Sequence, residues 1–157
     1  MTPATLDHAG IAARVPHSGT MCLLNALHSW TAEAIHCSAS GHRDPAHPLR
    51  TVGGLLAPVA IEYASQAMAL HGTLSAAQAA AGSPDSPDAG PQPGFLVAVR
   101  GVKLHVPRLD TVDGDLHIRA QRLMGDAKQA LYAYTLHSAG GALLVEGRAT
   151  VILNALP

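Results

Sequence analysis

Beyond residue 94 the apolar residues recur at every second position. Leu96, Ala98, Val102, Leu104 and Val106 share one parity. Leu116, Ile118 and Ala120 alternate with His117, Arg119 and Gln121, and Ala130 to Leu136 is rich in Tyr and Leu. Leu143, Val145, Ala149, Val151 and Leu153 share a parity opposite to Glu146, Arg148 and Thr150. A period of two is the mark of half-buried antiparallel strands. Turn-forming stretches at Pro107 to Gly114, Gly125-Asp126 and Ala139-Gly140-Gly141 separate them, so four strands in a meander are expected. Upstream, Met21 to His28 and Ala34 to Ser40 read as two shorter strands with a turn near Trp30-Thr31, followed by a loop over Pro45 to Gly54. Leu55 to about Ala80 is the one long helical pattern, Ala-rich, with Pro58 placed for a first turn. Between helix and meander, 82–93 reads GSPDSPDAGPQP, a flexible connector too rich in Pro for helix or ladder. One helix against six antiparallel strands is an α+β layout, expected as a single domain over 1–157.

Composition narrows the function. Charged residues are only 13% and the net charge is -1, so no basic surplus points to nucleic acid and no polybasic tract to a membrane surface. No apolar run approaches the roughly 20 residues of a bilayer span, and the first residues carry no leader pattern, so a cytoplasmic location is expected. Cys22 and Cys37 match neither a disulfide framework nor a zinc spacing and read as small core residues. Ten His residues call for an explanation, yet no HxH or HExxH spacing occurs, so neither a metal nor a cofactor is expected.

The candidate chemistry gathers around the helix. Glu62 lies in its most apolar stretch, where an unpaired carboxylate is costly, and Gln66 stands one turn on within hydrogen-bonding reach. A carboxyl in a pocket would serve as acid or base, its pKa raised by desolvation. His42 and His47, on the loop entering the helix, are candidate bases. Gly53-Gly54 precedes Leu55 at the helix start, where backbone N–H groups could meet a thioester carbonyl.

Three stretches resemble the 3-hydroxyacyl-[acyl-carrier-protein] dehydratases of the hotdog fold. They are Val15-Pro16-His17 running into Leu23-Leu24, the loop His42 to Pro48, and the helix Ile61-Glu62-Tyr63-Ala64-Ser65-Gln66-Ala67-Met68-Ala69. The pairing of His42-Arg43-Asp44-Pro45 and Pro48-Leu49-Arg50 with a helix reading IEYASQAMALHG is similar to the divergent branch of aryl polyene biosynthesis clusters. The resemblance spans nearly the whole chain. It departs from common members in loop spacing, with His42 20 and His47 15 positions before Glu62, and in having Asn25 where Asp is usual. The branch favours His42 as base and leaves His47 as the alternative.

The resemblance implies a hotdog domain, a long helix wrapped by a six-stranded sheet. It implies loss of water from a 3-hydroxyacyl thioester carried on acyl carrier protein, in fatty-acid-like or aryl polyene biosynthesis. His42 would take the C2 proton and Glu62 would protonate the leaving hydroxyl. Gly53, Gly54, Leu55, Ile61, Gln66 and Met68 would contact the substrate. Glu62 is expected mostly buried, raised in pKa, and near a histidine of a second chain, because the family's two catalytic residues come from different protomers. The dimer could be homomeric or formed with another hotdog subunit, and an Arg100, Lys103, Arg108 cluster would meet the acidic carrier. A hotdog thioesterase and a weakly active or non-catalytic subunit of a heterodimeric dehydratase are the rival readings.

Overall fold

The structure is a computed structural model describing residues 2–17, 19–81, 94–126 and 128–153. The connector expected over 82–93 lies outside these. Seven strands form one antiparallel sheet: β1 (Leu6–Asp7), β2 (Ala26–Trp30), β3 (Ala34–Ala39), β4 (Gly94–Leu104), β5 (Leu116–Gly125), β6 (Gln129–His137) and β7 (Leu143–Leu153). Among the described residues two α-helices accompany them, the short α1 (His8–Ala12) and the 22-residue α2 (Ala60–Ala81). The α+β layout is the expected one. The seventh strand is the two-residue β1, too short to carry a period.

The period-two faces read from the sequence are the buried faces here. Ile35, Cys37 and Ala39 of β3, Leu116, Ile118 and Ala120 of β5, and Tyr132, Tyr134 and Leu136 of β6 all point into the core. Against them lies α2, which is buried nearly all round: Tyr63, Ala64, Gln66, Ala67, Met68, Leu70, His71, Thr73 and Leu74 are each at most 5% exposed. Its small residues let the sheet curve closely over it. His71 ties the helix down at both ring nitrogens, with the Tyr132 hydroxyl 2.7 Å from Nδ1 and the Thr31 carbonyl 2.8 Å from Nε2.

Strand order departs from the expected meander. The order is β1-β2-β3-β5-β6-β7-β4, so β4 pairs with β7 at the far edge and β5 sits beside β3. The chain from β4 must therefore cross the end of the sheet. It is held in doing so by the segment before α2: Leu109 N–H donates to Leu55 O and Ala57 N–H to Pro107 O. That pairing also explains why α2 starts at Ala60 and not at Leu55. The backbone of 55–57 is engaged with 107–109, Leu56 is extended, and Pro58 falls in a 3-10 turn over Ala57–Val59.

The first expected strand also moves, to Ala26–Trp30 in place of Met21 to His28. Cys22, Leu23 and Leu24 are buried but extend no ladder, and Gln66 takes backbone groups of Met21 and Leu23. Its Oε1 accepts from Leu23 N–H at 2.8 Å and its Nε2 donates to Met21 O at 2.6 Å. The side chain is fully buried, and a buried amide with both ends bonded can replace a strand partner.

Replacing Gln66 with Leu would strand Met21 O and Leu23 N–H away from water. Each buried unpaired group costs about 1–3 kcal/mol, so urea unfolding of Gln66→Leu should show a loss of about 2–4 kcal/mol. A change below 0.5 kcal/mol would mean that the N-terminal segment is not held by this amide.

Candidate active site

Glu62 occupies the first turn of α2, where its carboxylate meets the positive end of the helix dipole. Its Oε1 lies 2.9 Å from Nε2 of His17, and Gln66 Nε2 approaches it at 3.3 Å. The Glu62 side chain is 32% exposed and that of His17 24%. The expected burial and upward pKa are therefore corrected. The hydrogen bond from His17 is the largest influence and pulls the Glu62 pKa down, desolvation pushes it up more weakly, and Gln66 adds to the lowering. Within its own chain the histidine at Glu62 is His17. It arrives there because Gln66 fixes Met21 and Leu23, and with them the segment leading back to His17. The sequence signal for it was Val15-Pro16-His17, which reads equally well as a lead into a strand. Nδ1 of His17 is buried without a hydrogen-bond partner among the described residues.

His42 lies in a 3-10 turn, Gly41–Arg43, directly after β3. Asn25 steadies this corner by accepting from Ser40 N–H through its side chain at 2.8 Å. The His42 ring is 1% exposed, with Nε2 2.9 Å from the Val112 carbonyl. A carbonyl can only accept, so Nε2 bears the proton and Nδ1 carries the lone pair. That Nδ1 is buried and has no partner among the described residues. His47 is engaged at both nitrogens. Nδ1 accepts from Leu49 N–H at 3.1 Å, so Nε2 donates to the Tyr63 hydroxyl at 3.0 Å. Burial lowers the His47 pKa, and burial raises that of Tyr63.

The glycine turn is built around Asp110. Asp110 accepts from Leu55 N–H at 3.0 Å and from Arg108 Nε at 3.0 Å, and Arg50 stands 3.4 Å away. The Arg108 guanidinium, with the Leu55 amide, holds the Asp110 carboxyl far below the usual carboxylate range. Gly54 has φ +102°, and a Cβ there would fall 2.6 Å from Arg108 Nε, so glycine is required. Its N–H donates to Thr51 O, while Gly53 is exposed at the tip of the turn. Leu55 and Met68 belong to the core, and Ile61 is half-buried beside it. Gln66 meets Met21, Leu23 and Glu62 within its own chain. Of the expected basic residues, Arg108 is bound to Asp110, while Arg100 and Lys103 stand opposite Arg148 and Glu146 in the β4–β7 register.

The geometry thus offers two separate acid–base elements: a hydrogen-bonded His17–Glu62 pair at the helix start, and a histidine with a buried lone pair at the end of β3. Among known proteins, the family described as ApeP-like, ApeP dehydratase, matches residues 9–155. None of the curated proteins matches the chain. Solved structures share the fold. The dehydratase heterocomplex ApeI:P from Xenorhabdus doucetiae aligns over 91% of this chain and 90% of that one, at 24% identity and a TM-score of 0.72. AziG of S. sahachiroi aligns over 85% and 92%, at 15% identity and a TM-score of 0.58. A thioesterase from Haemophilus influenzae aligns over 83% and 77%, at 13% identity and a TM-score of 0.57. The architecture is the hotdog fold expected from the helix and loop motifs.

A depressed carboxyl pKa stabilises the fold above the ordinary value, and that stabilisation is lost as pH falls through the folded-state value. His17→Ala should therefore raise the titration midpoint of Glu62, read from its side-chain carboxyl carbon by NMR, and narrow the acid range over which the fold gains from ionised Glu62. An unchanged midpoint would show that His17 does not hold the carboxylate.

Proposed function

Because the chain belongs to the ApeP-like dehydratase family, we propose that it removes water from 3-hydroxyacyl thioesters carried on acyl carrier protein, working in the cytoplasm as one subunit of a hotdog dimer. The observation that carries the reading is the state of the three candidate histidines. His42 presents a buried, unpartnered lone pair at Nδ1, as a base requires, whereas both nitrogens of His47 are bonded. His17 is committed to Glu62.

In this mechanism His42 Nδ1 takes the C2 proton of the substrate. The electron pair left at C2 forms the C2=C3 double bond as the C3–O bond breaks. The departing hydroxyl receives its proton from the His17–Glu62 pair and leaves as water. Since the Glu62 pKa is lowered, the proton passes to the hydroxyl through the hydrogen-bonded pair, with Glu62 directing it. Gly53, exposed at the turn, supplies the N–H nearest the thioester oxygen, since that of Gly54 closes its own turn. No metal or redox cofactor enters this scheme.

The unpaired sheet edge supports dimerisation. Strand β4 runs 11 residues with one side unpaired, and it exposes Leu96, Val97 and Leu104 at 36%, 52% and 47%. A long apolar edge needs cover. A second hotdog subunit continuing the sheet at β4 provides it, and the heterocomplex described for the Xenorhabdus proteins is consistent with a partner different from this chain. In such a dimer the base and the acid pair facing one substrate come from opposite subunits. Aryl polyene assembly is the setting this branch suggests.

With a 3-hydroxyacyl carrier protein as substrate and the enoyl product as readout, His42→Ala and Glu62→Gln should each reduce kcat by about 100- to 10,000-fold with the fold intact. His47→Ala should lower stability through loss of the Tyr63 bond more than it lowers kcat. Release of free acid in place of the enoyl thioester would identify a thioesterase, and full activity of the complex with both variants would assign this chain a non-catalytic role. Val97→Lys on the β4 edge should dissociate the dimer in light scattering and remove activity with it.

A further inference from the structure

Four of the ten histidines stand in a row on the face of the sheet turned away from α2, and the proposed dehydration uses none of them. His28, His36, His117 and His137 belong to the consecutive neighbours β2, β3, β5 and β6. His36 and Ser38 face Arg119 and His117 across the β3–β5 ladder, which sets His36 diagonal to His117 on one face. His28 is the extra residue of a β-bulge between Leu27 and Ser29, and the bulge aims its ring at the same spot. The ring centroids of His28 and His36 lie 4.8 Å apart, and those of His36 and His117 5.2 Å. One ring nitrogen from each of His28, His36 and His117 falls within 4.8 Å of the other two.

We infer that His28, His36 and His117 form a three-histidine site for a borderline divalent cation of the Zn2+, Co2+ or Ni2+ type, distinct from the dehydratase site. Three imidazoles converging from three strands are a donor set suited to these ions and to no alkaline-earth ion. Tetrahedral Zn2+ with Zn–N bonds of about 2.0–2.1 Å holds its nitrogens roughly 3.3 Å apart. His36 Nε2 and His117 Nδ1 are already at 2.9 Å, so a small rotation of two rings opens the required gap. The third ligand, His28, is exposed at the bulge and is held by Ser38 Oγ 2.8 Å from its Nε2, an outer-shell contact of the kind that orients metal-bound imidazoles.

Burial, the Arg119 guanidinium and the two neighbouring imidazoles together push the His36 pKa down to about 4. Arg119 stands opposite His36 across the ladder, is solvent-exposed, and opposes a second positive charge at the site. A groove of about 540 Å³, lined by His36 and Arg119 with Trp30 and Thr135, adjoins the cluster at His36.

Local spacing could not reveal this site, since its ligands come from three strands and lie up to 89 positions apart in the chain.

The test is titration of the untagged chain with Zn2+ by calorimetry, and with Co2+ by its visible absorption. One Zn2+ per chain and the intense d–d bands of tetrahedral Co2+ are expected. His36→Ala and His117→Ala should each weaken binding by more than the roughly 100-fold that loss of an outer-shell partner costs. His28→Ala provides a third, exposed variant should either of the others disturb the fold, which circular dichroism monitors. His105→Ala, exposed and paired with Glu146 elsewhere, should change nothing. Absence of stoichiometric Zn2+ binding, or binding unaltered in all three cluster variants, overturns the proposal. Enoyl formation by the metal-free protein bears on the dehydratase reading alone, so the two readings fail separately.

Discussion

The buried amide of Gln66 organises the molecule. It sits one turn along α2 from Glu62, inside a helix wrapped almost completely by apolar side chains. There it binds both a carbonyl and an N–H of a segment that enters no sheet. Hydrogen bonds of this kind add only modest net stability, but their geometry is strict because the unbonded alternative is costly. The N-terminal segment is thus fixed against the helix start, and His17 reaches Glu62 as a result. The His17–Glu62 pair is thus set by the amide of a third side chain.

The second organising region is the Asp110 knot. A single carboxylate joins Arg108, Arg50 and the Leu55 amide, pinning the chain that crosses from β4 to β5 against the entry to α2. The same crossing carries Val112, whose carbonyl selects the His42 tautomer. His42 and the His17–Glu62 pair therefore depend on two different anchors. A dimeric arrangement in which each half-site is preassembled within its own subunit fits this division.

Much of this was legible in the sequence. The alternation in β5, β6 and β7 gave their faces, and the apolar stretch with Glu62 and Gln66 at i,i+4 gave the helix and its polar focus. What was not legible has physical causes. The place of β4 beside β7 depends on a crossing that no local pattern encodes. The start of α2 at Ala60 depends on backbone pairing with a segment some fifty residues away. The strand expected at Met21 was displaced by a side-chain amide, which period-two reasoning does not weigh. Glu62 was placed correctly on the helix, but its electrostatics were misjudged because the partner, His17, lies 45 positions upstream. The outer histidines were visible only as a surplus of one residue type.

The two cysteines have a consequence for handling the protein. Both are free and buried, and burial pushes the Cys37 thiol up to about 12 and raises that of Cys22. Only a thiolate reacts readily with alkylating reagents, so in the folded chain neither sulfur is a target. Cys37 lies in the centre of the sheet and Cys22 in the segment that Gln66 holds. Their labelling rates therefore report two different openings, that of the sheet as a whole and that of the N-terminal segment, without any introduced probe.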